Sequence, residues 1–221
     1  MANPAQLLHE IFVSWNHADK SAQKARGVNG TNWDTHTRAV RFLDEIAEIL
    51  RLLESHGRNM RVARETMPTW YQTVFVFNYG WSGANTGAID QRALDNLEQL
   101  AERLQDVVPE VAAGGIEQIN QYIDLVRKTV LADTSLPTEL RSHINDVVDH
   151  VRWCTDNYAI AGDFSLQDAV ERLSGAIVRG YATSGEKSKW KDVLDKFVWP
   201  FTVNVVSALP SATLAALAVA G

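Results

Sequence analysis

Residues 70–77 read Trp-Tyr-Gln-Thr-Val-Phe-Val-Phe (WYQTVFVF). β-Branched and aromatic residues fit a pleated, half-buried surface, so the stretch has the composition of a short strand. A strand needs a partner, and no second segment of this chain reads convincingly as one. The stretch is therefore expected to be a buried helix, and that choice makes the chain all-α.

The flanks agree with a helical reading. Arg58 to Glu65 carries the helical period, and Pro68 is expected to interrupt it. Beyond Phe77, NYGWSGANTG (78–87) is the strongest loop signal in the sequence. Upstream, a first helix should start near Pro4, a favoured first-turn residue, and run to Arg26-Gly27. Leu7, Leu8, Ile11, Phe12 and Trp15 give it an apolar face. After the loop GVNGTN, a second helix runs from about Trp33 to His56, with Gly57 at its C-terminal cap.

Downstream, Asp90 should cap a helix whose face is Leu94, Leu97, Leu100, Ala101 and Leu104. Gly114-Gly115 precedes a helix carrying Ile116, Ile119, Ile123, Val126 and Val130. Another begins after Ser135 and uses Leu140, Ile144, Val147, Val148 and Val151. Ser165 and Asp168 form an S-x-x-D start signal for the next, and the last carries Trp190, Val193, Leu194 and Phe197 up to Pro200. The expected architecture is a multi-helix bundle of about seven to nine helices with short connections, ending in an apolar C-terminal helical segment. Its expected division is a bundle over 1–180, a basic connecting helix over 181–196 and the apolar segment over 197–221.

Composition narrows function. With 46% apolar and 22% charged residues, the chain has the makeup of a globular protein. A net charge of -6 argues against nucleic acid as partner, since phosphate backbones select basic surfaces. In RNMRVAR, Arg58, Arg61 and Arg64 recur at helical spacing, flanked by Glu54 and Glu65, which reads as a solvated face. One cysteine, Cys154, allows no intrachain disulfide and permits a reducing compartment. MANPAQLLHEIFVSW lacks the basic and long apolar regions of a secretory signal, so the sequon at Asn29 carries no weight and a cytoplasmic location is expected.

Chemistry is sparse. His143, His150 and Cys154 share a helical stripe, and His150 and Cys154 lie one turn apart. A closed zinc site would need ligands from another helix, and none is identifiable, so no metal is expected. Asp95, Glu98, Glu102 and Asp106 read as a solvated acidic face, because the chain has no Glu-x-x-His. The glycines at 80, 83 and 87 lack the lysine of a phosphate loop and the strand of a dinucleotide fingerprint, although Tyr79 and Trp81 could form a small binding lip. No nucleophile motif occurs. A non-enzymatic protein without cofactor is the expectation.

The remaining signal is the tail. From Phe197 to Gly221 no charged residue appears. As a helix this stretch would measure about 37 Å, against about 30 Å for a hydrocarbon core. Lys187, Lys189, Lys191 and Lys196 precede it, and Trp190 and Trp199 lie among and after them, the composition of an interfacial anchor. Ala208, Ala212, Ala216 and Ala220 repeat every fourth position, a small-residue seam suited to helix association. Pro200, Asn204 and Pro210 oppose a simple span. The expected function is that of a helical sensor or effector. Its apolar segment would engage a membrane at the inner face of the cell membrane, with homo-oligomers permeabilising it as a toxin or defence effector does. Trp190, Trp199, Ala208, Ala212, Ala216 and Ala220 would be the membrane or self-association residues. The alternative is a soluble all-α interaction or regulatory module with a protein partner, its tail packed into its own core.

Overall fold

The structure is a computed structural model and describes residues 3–28, 33–76 and 80–202. Among these, nine helices occur: α1 (Pro4–Trp15), α2 (Ala22–Ala25), α3 (Asp34–Ser55), α4 (Arg61–Phe75), α5 (Gln91–Gln105), α6 (Gly115–Ala132), α7 (Thr138–Asp156), α8 (Tyr158–Thr183) and α9 (Lys187–Asp195). No strand forms among the described residues beyond one isolated antiparallel bridge, Val111 to Phe201. The fold is an all-α multi-helix bundle. Two compact units divide it, with the boundary between Val107 and Val108.

In the unit ending at Val107, α1 packs on α3 and α5, and α4 on α3 and α5. Asn3 caps α1 by accepting from the amides of Ala5 and Gln6, and its side-chain amide donates to Ala101 O at 3.0 Å. The buried face of α3 is Phe42, Leu43, Ile46, Ile49, Leu50 and Leu53, an i, i+3, i+4, i+7 pattern. WYQTVFVF is helical through Phe75. Trp70 and Val74, one turn apart, are buried, and the Trp70 indole donates to Ala93 O of α5 at 2.8 Å. Such a tether satisfies the polar end of a buried tryptophan.

Two expectations about this unit are corrected. Pro68 does not interrupt the helix; it lies inside α4, exposed, where the missing N–H falls on the solvent side. The first helix stops at Trp15 rather than at Arg26-Gly27. There the backbone leaves helical geometry to bond a distant loop: His17 N donates to Gly87 O and Gly87 N to Lys20 O, both at 2.9 Å. Asn16 Oδ1 accepts from Ile89 N, and Ser21 then caps the short α2.

In the unit starting at Val108, α6, α7 and α8 pack in sequence and α9 lies against α8 and α6. Their core contains Ile119, Ile123, Val126 and Val130 of α6 together with Ile144, Val148 and Val151 of α7. Leu166, Val170, Leu173 and Ile177 of α8 and Trp190 and Val193 of α9 complete it. Ser165 and Asp168 are not a helix start. They lie inside α8, and the break comes earlier, at Gly162, whose φ of 73° and ψ of 176° suit only glycine. The last helix ends at Asp195, and residues 200–202 are drawn into the bridge instead.

Candidate functional site

The site is built where the described chain approaches its apolar end. One edge of α6 presents Gln118, Gln121, Tyr122 and Leu125, beside the stripe that faces the core. Val170 and Leu173 of α8 form the floor, and Lys196, Phe197, Val198 and Pro200 form the second wall. Between them lies a groove of about 420 Å³, within the range of small-ligand and side-chain pockets. The Phe197 ring meets the Tyr122 ring edge-on at 5.3 Å, and Trp199 sits between Phe197 and Phe201 at 6.4 and 5.1 Å. Val198 is 67% exposed.

The far end of this wall is fixed. Ala112 N donates to Pro200 O and Thr202 N to Glu110 O, both at 2.8 Å, and Glu110 N donates to Thr202 Oγ1 at 3.0 Å. Gly115 permits the approach: a Cβ there would lie 2.8 Å from Pro200 O and 2.7 Å from Val111 Cγ1. Asp163, next to the Gly162 kink, accepts from Val111 N at 3.0 Å and from the Tyr158 hydroxyl. Burial, then the hydrogen bond and charge of Asp163, push the Tyr158 pKa up, so the phenol stays a donor. Burial likewise raises the pKa of Tyr122, whose hydroxyl donates to Val193 O at 3.0 Å. Both tyrosines are structural donors at neutral pH.

A second hub fixes α9. Asp133, just past α6, is 0% exposed. One carboxylate oxygen accepts from Ser135 N and Oγ at 2.9 and 2.6 Å, and the other from Ser184 Oγ and Trp190 Nε1 at 2.6 and 2.7 Å. Burial raises its pKa, but these hydrogen bonds together outweigh burial and hold the carboxyl well below the usual range.

This hub relocates the predicted site residues. Trp190 does not face outward as an interfacial anchor. It is 0% exposed, tied to Asp133, with its ring against Gly180, where an added Cβ would meet it at 2.8 Å. The basic flank is also used within the fold. Lys187 Nζ donates to Tyr181 O and Ala182 O, and Lys189 Nζ to Ala132 O, which completes the C-terminal carbonyls of α8 and α6. Lys196 pairs with Asp192 at 2.8 Å. Trp199 is half-buried against Phe197 and Phe201, and Ala208, Ala212, Ala216 and Ala220 lie outside the described residues. No described helix is long and apolar enough to cross a membrane.

The unit ending at Val107 holds a cluster that the sequence reading did not find. The Arg26 guanidinium lies 4.6 Å from the Trp15 ring and 5.1 Å from the Trp81 ring, and donates to Val74 O and Thr73 O at the end of α4. Burial lowers its pKa to about 10. His36, 6% exposed, stacks on Trp15 at 4.4 Å and meets Trp33 and Trp81 at 5.3 and 5.0 Å. Burial, then the charge of Arg26, lowers its pKa to about 4, so it is neutral at pH 7. The Trp81 backbone carbonyl accepts from Gln23 N at 3.0 Å, so this cluster locks the loops around it. Tyr79, the other half of the expected lip, lies outside the described residues.

The remaining candidate constellations do not form sites. Cys154 is buried with Sγ 4.0 Å from Nε2 of exposed His150, and His143 Nε2 lies 3.1 Å from Arg179. Among the described residues no group of three or more His, Cys, Asp or Glu side chains converges on one point. Arg64 and Arg61 pair with Glu54 and Glu65 at 2.7 and 3.2 Å. No protein-family model, curated protein or solved structure matches this chain.

Proposed function

We propose that the chain is a non-enzymatic helical effector whose working element is the apolar segment beyond Thr202, and that this segment engages a membrane surface. The observation that carries the reading is the uncharged run from Phe197 to Gly221, whose first residues are fixed to a folded unit at Pro200 and Thr202. The alanine seam from Ala208 to Ala220 would let copies associate, and association in lipid would permeabilise the bilayer. The inner face of the cell membrane is the target under this reading. The test compares the full chain with its Val205→Asp/Leu214→Asp variant in a vesicle dye-release assay. Release by the full chain and none by the variant supports the reading; equal release, or none from either, removes it.

A second reading has its own support. Trp190 and three of the four flanking lysines are engaged inside the fold, and an apolar groove lies beside the root. Under it the protein is an interaction or regulatory module with a protein partner, and the charged variant loses stability rather than vesicle activity.

A further inference from the structure

We infer that the groove between α6, α8 and the 196–200 wall is the resting seat of residues 203–221 of the same chain. This deepens the proposed function: the groove would shield the segment until a membrane takes it.

Four observations carry it. The groove is largely apolar, and among the described residues its one charged lining residue, Lys196, is already paired with Asp192. Residues 203–221 contain no charge, so neither side brings an unpaired ion to the contact. The segment also starts beside the groove: Pro200 is a wall residue, and Thr202 is pinned to Glu110 two residues on. Finally, the length fits. Residues 203–209 can reach about 20 Å when extended, twice the roughly 10 Å that α6 rises between Gly115 and Tyr122. Pro210 follows them, a residue suited to a reversal, and 211–221 would return with Leu214, Leu217 and Val219 as apolar side chains. Tethering at Thr202 sets an effective concentration on the order of millimolar, which favours this occupant over a free partner.

The test is cross-linking in the full chain with a short bis-maleimide, leaving buried Cys154 in place. Gln121→Cys on the groove edge is paired with Ser211→Cys or Ala215→Cys. Asp146→Cys, on the exposed side of α7, replaces Gln121→Cys as the control. An intramolecular product at position 121, absent at 146 and lost on adding Val198→Glu, is the expected result. Val198 is largely exposed, so that change spares the fold, which circular dichroism checks. No product, or equal product at 121 and 146, overturns the inference. Covalent dimers in place of the intramolecular product also overturn it, and assign the groove to a second copy. Adding anionic vesicles separates this from the membrane reading. A cis product that vesicles abolish agrees with both. A cis product that persists beside unbound vesicles keeps the seat and ends the membrane reading. Vesicle binding without any cis product does the reverse.

Discussion

Replacing Asp133 by alanine should be among the most damaging single changes in the unit starting at Val108. The carboxylate accepts four hydrogen bonds in a site closed to solvent. Ser135 is exposed and can turn to water, but the Trp190 indole N–H and the Ser184 hydroxyl are buried and cannot. Two buried donors left without acceptors cost about 1–3 kcal/mol each. The expected loss is therefore about 2–6 kcal/mol, a large fraction of the roughly 5–15 kcal/mol that a domain has in total. Asp133→Asn keeps one acceptor oxygen and presents an amide N–H₂ to the other pair of donors, so it should lose about half as much. Urea unfolding followed by circular dichroism measures both. A double-mutant cycle with Trp190→Phe isolates the indole bond, with an expected coupling of about 1–2 kcal/mol. The pH dependence follows in sign. A depressed folded pKa means the contribution is present above the unfolded carboxylate value, about 3.9, and is lost as pH falls through the folded value. The acid limb of the stability curve below about pH 4 should flatten in Asp133→Asn. If Asp133→Asn is as stable as the parent and its coupling to Trp190 is zero, the hub does not hold α9.

His36, with its pKa lowered to about 4, should bind a proton on unfolding between pH 4 and 6.5, so stability should fall as pH drops through that window. The loss reaches up to about 3 kcal/mol, and the difference between parent and His36→Gln in urea titrations at several pH values reads it. Gly162→Ala should cost about 1–3 kcal/mol, because φ of 73° with ψ of 176° is closed to side chains; unchanged stability would mean that the kink relaxes. Pro68→Ala restores an i to i−4 donor on the exposed side of α4 and should stabilise by about 1–2 kcal/mol in thermal unfolding, the gain reduced by the freer unfolded chain.

What the sequence disclosed was local periodicity. The expected faces of α5, α6 and α7 match the buried stripes in most positions, and residues 70–75 are helical because Trp70 and Val74 bury at helical spacing without a strand to pair with. Features set by distant partners stayed hidden. The end of α1 depends on Gly87 and Ile89, seventy residues away in the chain, and local propensity carries no trace of them. The role of Asp133 leaves no local trace, because its buried donors are Ser184, just past α8, and Trp190 in α9, both some fifty residues on. The four lysines before the tail resembled a membrane flank because composition records charge and not its partners, which are helix carbonyls for Lys187 and Lys189 and Asp192 for Lys196. The groove needed three segments at once. The Trp33 to His36 spacing was the one local hint of the aromatic cluster, since Trp33 at the N-cap of α3 and His36 in its first turn can bring their rings together.

The central claim is that residues beyond Thr202 hide their apolar surface and surrender it to lipid. A fluorophore on Ala212→Cys in the full chain, Cys154 being buried, tests it with two quenchers. The account predicts protection from aqueous iodide with and without vesicles, and quenching by a lipid-borne spin label once anionic vesicles are present. Free access of iodide in both conditions, with no response to the lipid quencher, would contradict it.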